Sequence, residues 1–197
     1  MKVKICLAGA LLVAFSLSAL ADDTKKKPEM DPAMMEAMMK AATPGEAHKM
    51  LNGMVGTWDT KITIWMMPGM DPTTSQGVAV NKSIMGGRYI EQRFTGNFMG
   101  MPFEGIGYTG YDNIKKQYFG TWMDNMSTAM MMSTGSVGTD GTMTFKGSMP
   151  DPMTGKDAPF EEKIKVVDAD HTIFEMWAPG PDGKMFKTME IEYARKK

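Results

Sequence analysis

The sequence has one cysteine, two histidines and almost no leucine beyond its first 21 residues. Cys6 has no second cysteine to pair with, so the chain cannot form an internal disulfide. The 22 Lys and Arg side chains nearly balance the 23 Asp and Glu side chains, and no basic stripe follows the chain, which argues against nucleic acid as a partner. Leu51 is the only leucine after residue 21, whereas 24 methionines follow Met1. We therefore expect methionine to replace leucine, with most thioethers in a core.

Recognisable catalytic motifs are also missing. There is no GxSxG turn, no HExxH helix and no phosphate-binding loop, and only His48 and His171 could act as a base near neutral pH. His48 lies on a short predicted helix that we expect to pack against a larger domain. His171 follows an acidic turn and is expected to face solvent. The sequence thus predicts a protein that is not an enzyme, with no catalytic residue, no cofactor and no defined metal site.

The first 21 residues have the composition of a signal peptide. Lys2 and Lys4 precede an apolar run over residues 5–17, and Ala19-Leu20-Ala21 matches the small-x-small pattern of signal peptidase sites. The run is too short for a membrane span. We predict cleavage after Ala21 and a periplasmic or secreted mature protein with no membrane span and a net charge of about −3, since two lysines leave with the leader.

Residues 22–42 are predicted to form a polar tether and a methionine-rich helix. Asp31 is suited to cap a helix whose first residue is Pro32, and the helix should extend to Ala42. Thr43-Pro44-Gly45-Glu46 resembles a capping box, with a second helix running through Leu51. The methionines of the first helix share one broad face: Met34, Met35, Met38 and Met39.

From Val55 to the C-terminus the hydrophobic period is two. Turn residues such as Gly86-Gly87 and Asp140-Gly141 separate short apolar stretches. The stretches are residues 58–65, 78–84, 89–94, 103–108, 118–123, 129–132, 143–145, 164–167, 173–177 and 185–193. An antiparallel meander of this length removes its exposed edges by closing. We predict an all-β fold over residues 43–197, an antiparallel up-and-down barrel of about ten strands with a short N-terminal helical cap.

Residue parity predicts how the barrel closes. Trp58 shares one face of the first strand with Ile62 and Ile64, and Arg195 shares one face of the last strand with Tyr193. Closure brings the first and last strands side by side. A guanidinium over an indole is favourable by roughly 0.5–2 kcal/mol, so Trp58 and Arg195 are expected to stack at the closed end.

These features resemble the calycin superfamily, which includes lipocalins and fatty-acid-binding proteins. Its signature is similar to Gly56-Thr57-Trp58 after a short helix, followed by a β-meander and a late arginine, here Arg195. More specifically, the chain resembles a family of exported bacterial proteins known only as a domain of unknown function, over residue 43 to the end. The matching stretches are Glu46-Ala47-His48 with Leu51, and residues 55–58, 86–88, 102–112, 122–124 and 189–195. The resemblance implies a calycin-like barrel in the periplasm and no known activity. Unlike lipocalins, this chain lacks disulfides and has tight loops.

The middle strands combine glycines with aromatic residues, as in Gly105, Gly107, Tyr118, Gly120 and Trp122. Glycine within a strand marks a bulge or a need for space, and a barrel of this size can hold one small ligand. A fully packed interior, in which glycine serves twist and curvature, is the equal alternative. The candidate ligand-binding residues are Arg88, Gln92, Tyr108, Tyr118, Trp122 and Asp124.

Three functions remain open on sequence alone, and the oligomeric state is undetermined. The first is an exported barrel that binds a small, largely apolar molecule; an enclosed cavity lined by Trp122 and Tyr118 would favour it. The second is binding of Cu(I) by clustered thioethers, at Met30–Met39, at Met66, Met67 and Met70, or at Met126 and Met130–Met132. The third is docking of a protein partner on the methionine-rich helix. A detached, exposed helix would favour the second and third.

Overall fold

A computed structural model describes residues 31–197 of the protein. The predicted signal peptide with its predicted cleavage site, and the tether predicted before residue 31, lie outside the described residues. Helix α1 spans Pro32–Ala42 and helix α2 spans Glu46–Asn52. Over the described part of the chain, no helix has both the length and the apolar character needed to cross a membrane.

Ten strands follow the helices. Each strand pairs antiparallel with its neighbour in the chain, and the first pairs with the last, so the sheet closes. The strands are β1 Gly56–Ile64, β2 Thr73–Ile84, β3 Tyr89–Phe98, β4 Met101–Asp112, β5 Gln117–Asp124, β6 Met131–Val137, β7 Met143–Pro150, β8 Asp157–Val166, β9 His171–Pro179 and β10 Met185–Arg195. The predicted ten-stranded up-and-down barrel is confirmed.

The first helix matches its prediction in both ends and cap. The Asp31 carboxylate accepts the backbone N–H of Ala33 at 3.0 Å. The second helix begins differently from the predicted capping box. Gly45 is its N-cap, and the His48 ring, not a Glu side chain, accepts the Gly45 backbone N–H at 3.0 Å. Thr43 instead ends α1, with its hydroxyl donating to the Met39 carbonyl.

Several strands are longer than their apolar stretches. Strand β2 begins at Thr73, before the apolar run at Val78, and β8 begins at Asp157, before the run at Ile164. Strand β6 lies later than predicted, over Met131–Val137. The reason is that backbone pairing with a neighbouring strand does not need an apolar side chain, so polar residues continue the ladder.

The hairpins divide between two ends of the barrel. Five loops form one end, called here the mouth: residues 65–72, 99–100, 125–130, 151–156 and 180–184. The other end, called the base, carries the remaining turns and both helices. Helix α2 contacts β3 and β4 there. Leu51 of α2 is buried against Ile90, Tyr118, Met143 and Phe145, so the base is closed by an apolar cluster.

Arg195 and Trp58 stack where the first and last strands meet, as the sequence predicts; this pair is called here the seal. Trp58 and Arg195 are partners in the β1–β10 register, and the guanidinium carbon lies 4.1 Å from the centre of the indole ring. The guanidinium also donates to the carbonyls of Val55 at 2.7 Å and Gly53 at 3.1 Å. Gly56 has a φ of +140°, and a Cβ there would lie 2.5 Å from the Arg195 guanidinium. Only glycine therefore fits beside the seal.

The expectation that most thioethers lie in a core is wrong. Seventeen of the 23 methionines in residues 31–197 are exposed, and within that range only Met143 and Met176 are buried. Phenylalanine, tryptophan, tyrosine and isoleucine supply most of the buried clusters instead. Eleven exposed methionines lie in mouth loops or within two residues of them: Met66, Met67, Met70, Met99, Met101, Met123, Met126, Met130, Met132, Met153 and Met185.

Candidate functional site

A cavity of about 570 Å³ occupies the interior of the barrel. Side chains from all ten strands line it, from Met54 and Asn81 near the base to Met66, Phe98 and Met126 near the mouth. Its volume falls within the range of about 300–1,000 Å³ that is usual for small-molecule sites. The barrel is therefore hollow between its closed base and its loops.

The wall nearest the mouth is aromatic and held in place. The rings of Trp122 and Phe103 stack with their centres 6.5 Å apart, and Phe94 meets Phe103 edge-on at 5.8 Å. The indole N–H of Trp122 donates to one oxygen of Asp124 at 2.9 Å, and the backbone N–H of Met126 donates to the other at 3.0 Å. These contacts fix the indole before any ligand arrives.

The glycines beside Trp122 make room for its ring. A Cβ on Gly107 would lie 3.0 Å from the indole, and one on Gly105 would overlap it. Gly77 and Gly96 leave similar room for Phe94. The glycines therefore make room for aromatic rings, and the alternative of a fully packed interior is wrong, because a cavity still remains.

One set of polar side chains lines the end of the cavity nearest the base. The Asn81 amide donates to the Met54 carbonyl at 2.9 Å, and the Gln92 amide donates to the Asn81 oxygen at 3.0 Å. Tyr193 of β10 also lines this region. Burial raises the pKa of the Tyr193 hydroxyl, partly opposed by the Gln92 amide and increased by the nearby Glu162 charge. Tyr193 is therefore a neutral hydroxyl at physiological pH.

A second polar group comes from β6 and β8. The Ser133 hydroxyl donates to one carboxylate oxygen of Glu162 at 3.1 Å, and both residues line the cavity. Burial raises the pKa of Glu162, and the Ser133 hydrogen bond only partly offsets this. A carboxyl group with a raised pKa inside a cavity is typical of a functional site.

Glu162, Ser133 and Tyr193 were absent from the sequence-based site. A signal for Glu162 did exist, because it shares parity with Phe160 and Ile164, which also line the cavity. Tyr193 likewise shares parity with Ile191 and Arg195 on the last strand. The polar character of residues 161–163 and the later start assigned to β8 concealed this phase.

The structure brings three of the six predicted ligand-binding residues to the cavity: Gln92, Trp122 and Asp124. Tyr118 points inward, as its parity with Trp122 predicts, but it lies in the base cluster below the cavity. Its hydroxyl donates to the Ala47 carbonyl of α2 at 3.3 Å, so Tyr118 anchors the helix instead of lining the cavity.

The placement of Arg88 and Tyr108 in the cavity was wrong. Arg88 precedes β3 in a base turn, where strand parity does not apply, and its guanidinium donates to the Ala42 carbonyl at 2.8 Å. Tyr108 faces outward from β4, opposite in parity to Gly107 and Thr109 of the cavity wall. The Tyr108 hydroxyl donates to Glu91 on the outer surface at 3.2 Å.

The two histidines lie outside the cavity. His48 is buried on α2 with its ring edge-on to Tyr111 at 5.7 Å, as expected of a residue that packs the helix on the barrel. His171 is exposed, and its ring nitrogen lies 2.9 Å from Asp168. Over residues 31–197, no three His, Cys, Asp or Glu side chains are grouped to hold a metal ion.

Comparison with solved structures supports the fold. The crystal structure of Rv2717c from M. tuberculosis is 14% identical, has a TM-score of 0.56, and the match covers 79% of this chain and all of that one. A redesigned beta barrel, b11L5F_LGL, is 16% identical with the same coverage, but its TM-score of 0.39 is too low to support a shared fold. No curated protein matches the chain. The sequence pattern of the family described as "Protein of unknown function (DUF1579)" matches residues 43–195, and the chain belongs to this family.

Proposed function

We propose that the protein binds one small, largely apolar molecule inside its barrel, a binding role and not a catalytic one. The observation that carries the proposal is the cavity of about 570 Å³, which has aromatic walls near the mouth and a few polar groups toward the base. A mostly apolar pocket with few, convergent polar groups is the usual form of a small-molecule site.

The size of the cavity bounds the affinity. Burying roughly 300 Å² of apolar ligand surface at about 25 cal/mol per Å² contributes roughly 7.5 kcal/mol. Part of this offsets the translational and rotational freedom that the ligand loses. A dissociation constant of 1 μM needs about 8.2 kcal/mol and one of 1 mM about 4.1 kcal/mol, so binding weaker than micromolar is expected for a ligand that makes few polar contacts.

The fixed indole of Trp122 provides the test. We expect an uncharged, solvent-sensitive dye that enters the barrel to change Trp122 fluorescence, and Trp122→Ala to weaken dye uptake without unfolding the protein. Trp177→Ala is the matched control, because Trp177 bonds to Glu175 at 3.1 Å and lies under Lys163 instead of lining the cavity. Dye binding that is equally strong in the Trp122 variant would contradict this placement of the site.

We also propose that the protein is exported. The proposal rests on the charged start, apolar run and Ala19-Leu20-Ala21 pattern of the first 21 residues. Expression of the full chain in a Gram-negative host should yield periplasmic protein whose first residue is Asp22, measured by N-terminal sequencing. Uncleaved protein confined to the cytoplasm would contradict it.

Cu(I) binding is the second candidate function, and two observations favour it. Helix α1 has no buried residue, so its four methionines are open to solvent. The barrel also places at the same end, its mouth, two methionine clusters that are distant in sequence, residues 66–70 and 126–132. Thioethers are soft ligands that suit Cu(I).

A titration with Cu(I) under reducing conditions distinguishes binding on helix α1 from binding at the mouth of the barrel. The sequence-based expectation is weak binding that disappears when Met34, Met35, Met38 and Met39 all become leucine, since leucine keeps the volume and removes the ligand. Leucine at Met66, Met67 and Met70 is the matched variant at the mouth. Tight, stoichiometric binding that survives the helix substitutions would place the metal site in the barrel.

A further inference from the structure

We propose that the cavity selects its ligand by charge, taking apolar molecules with a basic amine and rejecting apolar carboxylates, with Glu162 as the counter-ion of the amine. This inference rests on the proposed function and adds the chemical class of the ligand.

The charges around the cavity support this selection. Among the described residues, its lining contains two carboxyl side chains, Glu162 and Asp124, and no Lys, Arg or His. Two cations contact lining residues from outside the lining, and both are paired with carboxylates. Arg195 lies over Trp58 and beside Asp170 at 3.3 Å. Lys187 lies over Trp65 and pairs with Glu175 and Glu190. A ligand carboxylate would lose its hydration without meeting a positive charge, which is costly in an apolar site.

The two acids differ in whether they have an oxygen left to accept a hydrogen bond from a ligand. Asp124 accepts a hydrogen bond on each of its oxygens, from the Trp122 indole and from the Met126 backbone, so both oxygens already have partners in the cavity wall. Glu162 accepts one hydrogen bond, from Ser133, on one oxygen. The other oxygen of Glu162 is left to accept from a ligand. An ammonium group is the donor that gains most, because it brings both hydrogen and charge.

The surroundings of Glu162 favour an apolar body behind that amine. Its partners in the strand register are Phe145 on β7 and Met176 on β9, and both are buried. Toward the mouth the cavity is walled by Trp122, Phe103 and Phe94. The resulting ligand is an amphiphilic amine whose head lies at Glu162 and whose apolar part extends along the aromatic wall.

The affinity of the cavity for an amine should depend on pH. Burial raises the pKa of Glu162, so its protonated form persists to higher pH than that of an ordinary carboxyl group. An alkylammonium ion stays charged over pH 5–8 and binds best to the ionised carboxylate, so its affinity should rise with pH until Glu162 is fully ionised. The other titratable groups that line the cavity are Tyr193 on β10, which stays neutral there, and Asp124 on β5. Phe145 on β7 and Met176 on β9 do not titrate.

Three probes of equal chain length test the proposal: dodecylamine, dodecanol and dodecanoate. Each competes with an uncharged dye for the purified protein, below the concentration at which the probe forms micelles and at pH 5, 6, 7 and 8. We expect the amine to bind at least tenfold more tightly than dodecanoate at pH 7, with the alcohol between them. Amine affinity should rise over this pH range, while alcohol affinity stays within a factor of two.

Two variants of equal charge change locate the effect. Glu162→Gln should reduce the preference for amine over alcohol by at least fivefold and remove its pH dependence. Glu161→Gln should leave the preference and its pH dependence unchanged. Glu161 is the preceding residue on β8, lies outside the cavity lining, and forms surface ion pairs with Lys146 and Lys163.

The outcomes distinguish this inference from the proposed function. Dodecanoate binding as tightly as the amine, or an unchanged preference in Glu162→Gln, would overturn the inference while leaving ligand binding intact. If neither the dye nor any probe binds, the proposed function itself fails. If the Glu162 variant does not fold, the comparison of the three probes on the unaltered protein still tests whether the cavity prefers amines to carboxylates.

Discussion

At the scale of single residues, the barrel depends on a few side chains that join distant parts of the chain. Arg195 is the clearest, since it stacks on Trp58 and donates hydrogen bonds to two carbonyls in the junction between α2 and β1. Its contacts bring together the first strand, the last strand and the segment that follows the helix. Such a residue acts through packing of its stem as well as through its charge.

Replacing Arg195 by alanine should therefore destabilise the protein by roughly 1–3 kcal/mol, through lost stacking, hydrogen bonds and stem packing. Chemical denaturation followed by circular dichroism measures the change. Lys196→Ala is the control, because Lys196 is exposed and its ion pair with Asp59 spans 3.5 Å at the surface. Equal, small effects of both substitutions would show that Arg195 does not hold the first and last strands together.

Glu162 should make the protein less stable as pH rises. Its pKa in the folded protein is above the ordinary value of 4.5, so the folded state holds this proton more tightly than the unfolded state does. Stability is then lost as pH increases from about 4.5 through the raised pKa. Glu162→Gln should remove that loss and stabilise the protein more at pH 7 than at pH 4.

Unfolding free energies at the two pH values, with Glu161→Gln as control, measure this difference. A stabilisation of the same size at pH 4 and pH 7 would mean that ionisation of Glu162 has no part in it. The measurement needs no ligand and is independent of the selection of amines.

At the scale of elements, helix α1 is attached in an unusual way. None of its residues is buried, and the Asn113 amide of a base turn donates to carbonyls at its C-terminal end, those of Ala41 at 3.1 Å and Thr43 at 2.8 Å. Arg88 adds a bond to the Ala42 carbonyl. The helix is therefore held by its last turn, which leaves the methionine face open, as both the Cu(I) and the partner-docking hypotheses require.

Asn113→Ala should release α1 and leave the barrel folded. We expect proteolytic cleavage within residues 32–45 to become several-fold faster, while the midpoint of thermal unfolding of the barrel changes little. Asn97→Ala at the mouth is the control, as Asn97 lies far from α1 on β3. If cleavage near α1 is no faster in the Asn113 variant, the hydrogen bonds are not what holds the helix.

The elements were predictable to different degrees. Asp31-Pro32 identifies the start of α1 because capping is a local property of two or three residues. The start of α2 was not identifiable, because the His48 ring took the role expected of the capping box. Strand parity placed Gln92, Trp122 and Asp124 correctly, whereas Arg88 lay just outside a strand and so outside the reach of parity.

At the scale of the whole molecule, closure of the sheet collects the methionines. The five mouth loops are far apart in sequence, yet all five connect strands at the same end. The exposed thioethers there surround the entrance to the cavity, and Met66, Met126, Met131 and Met149 also line it. A flexible, polarisable rim of this kind adapts to apolar molecules of different shape.

Mild oxidation tests this distribution. Hydrogen peroxide converts an accessible thioether to a sulfoxide and releases water. Peptide mass spectrometry should show that Met67, Met99 and Met153 at the mouth oxidise at least tenfold faster than the buried Met143 and Met176. Because sulfoxides are polar, uptake of an uncharged dye should fall as the mouth is oxidised. Equal rates at the mouth and in the core would contradict this difference in exposure.

The number of strands, their antiparallel order and the seal between Trp58 and Arg195 follow from the sequence alone. They depend on turn residues and on a period of two, which act between near neighbours in the chain. Whether the barrel is hollow, which acid enters it and where the methionines lie were decided only by the tertiary structure. Those features depend on the register between strands and on where each strand ends, and both are set by pairing between segments far apart in the chain.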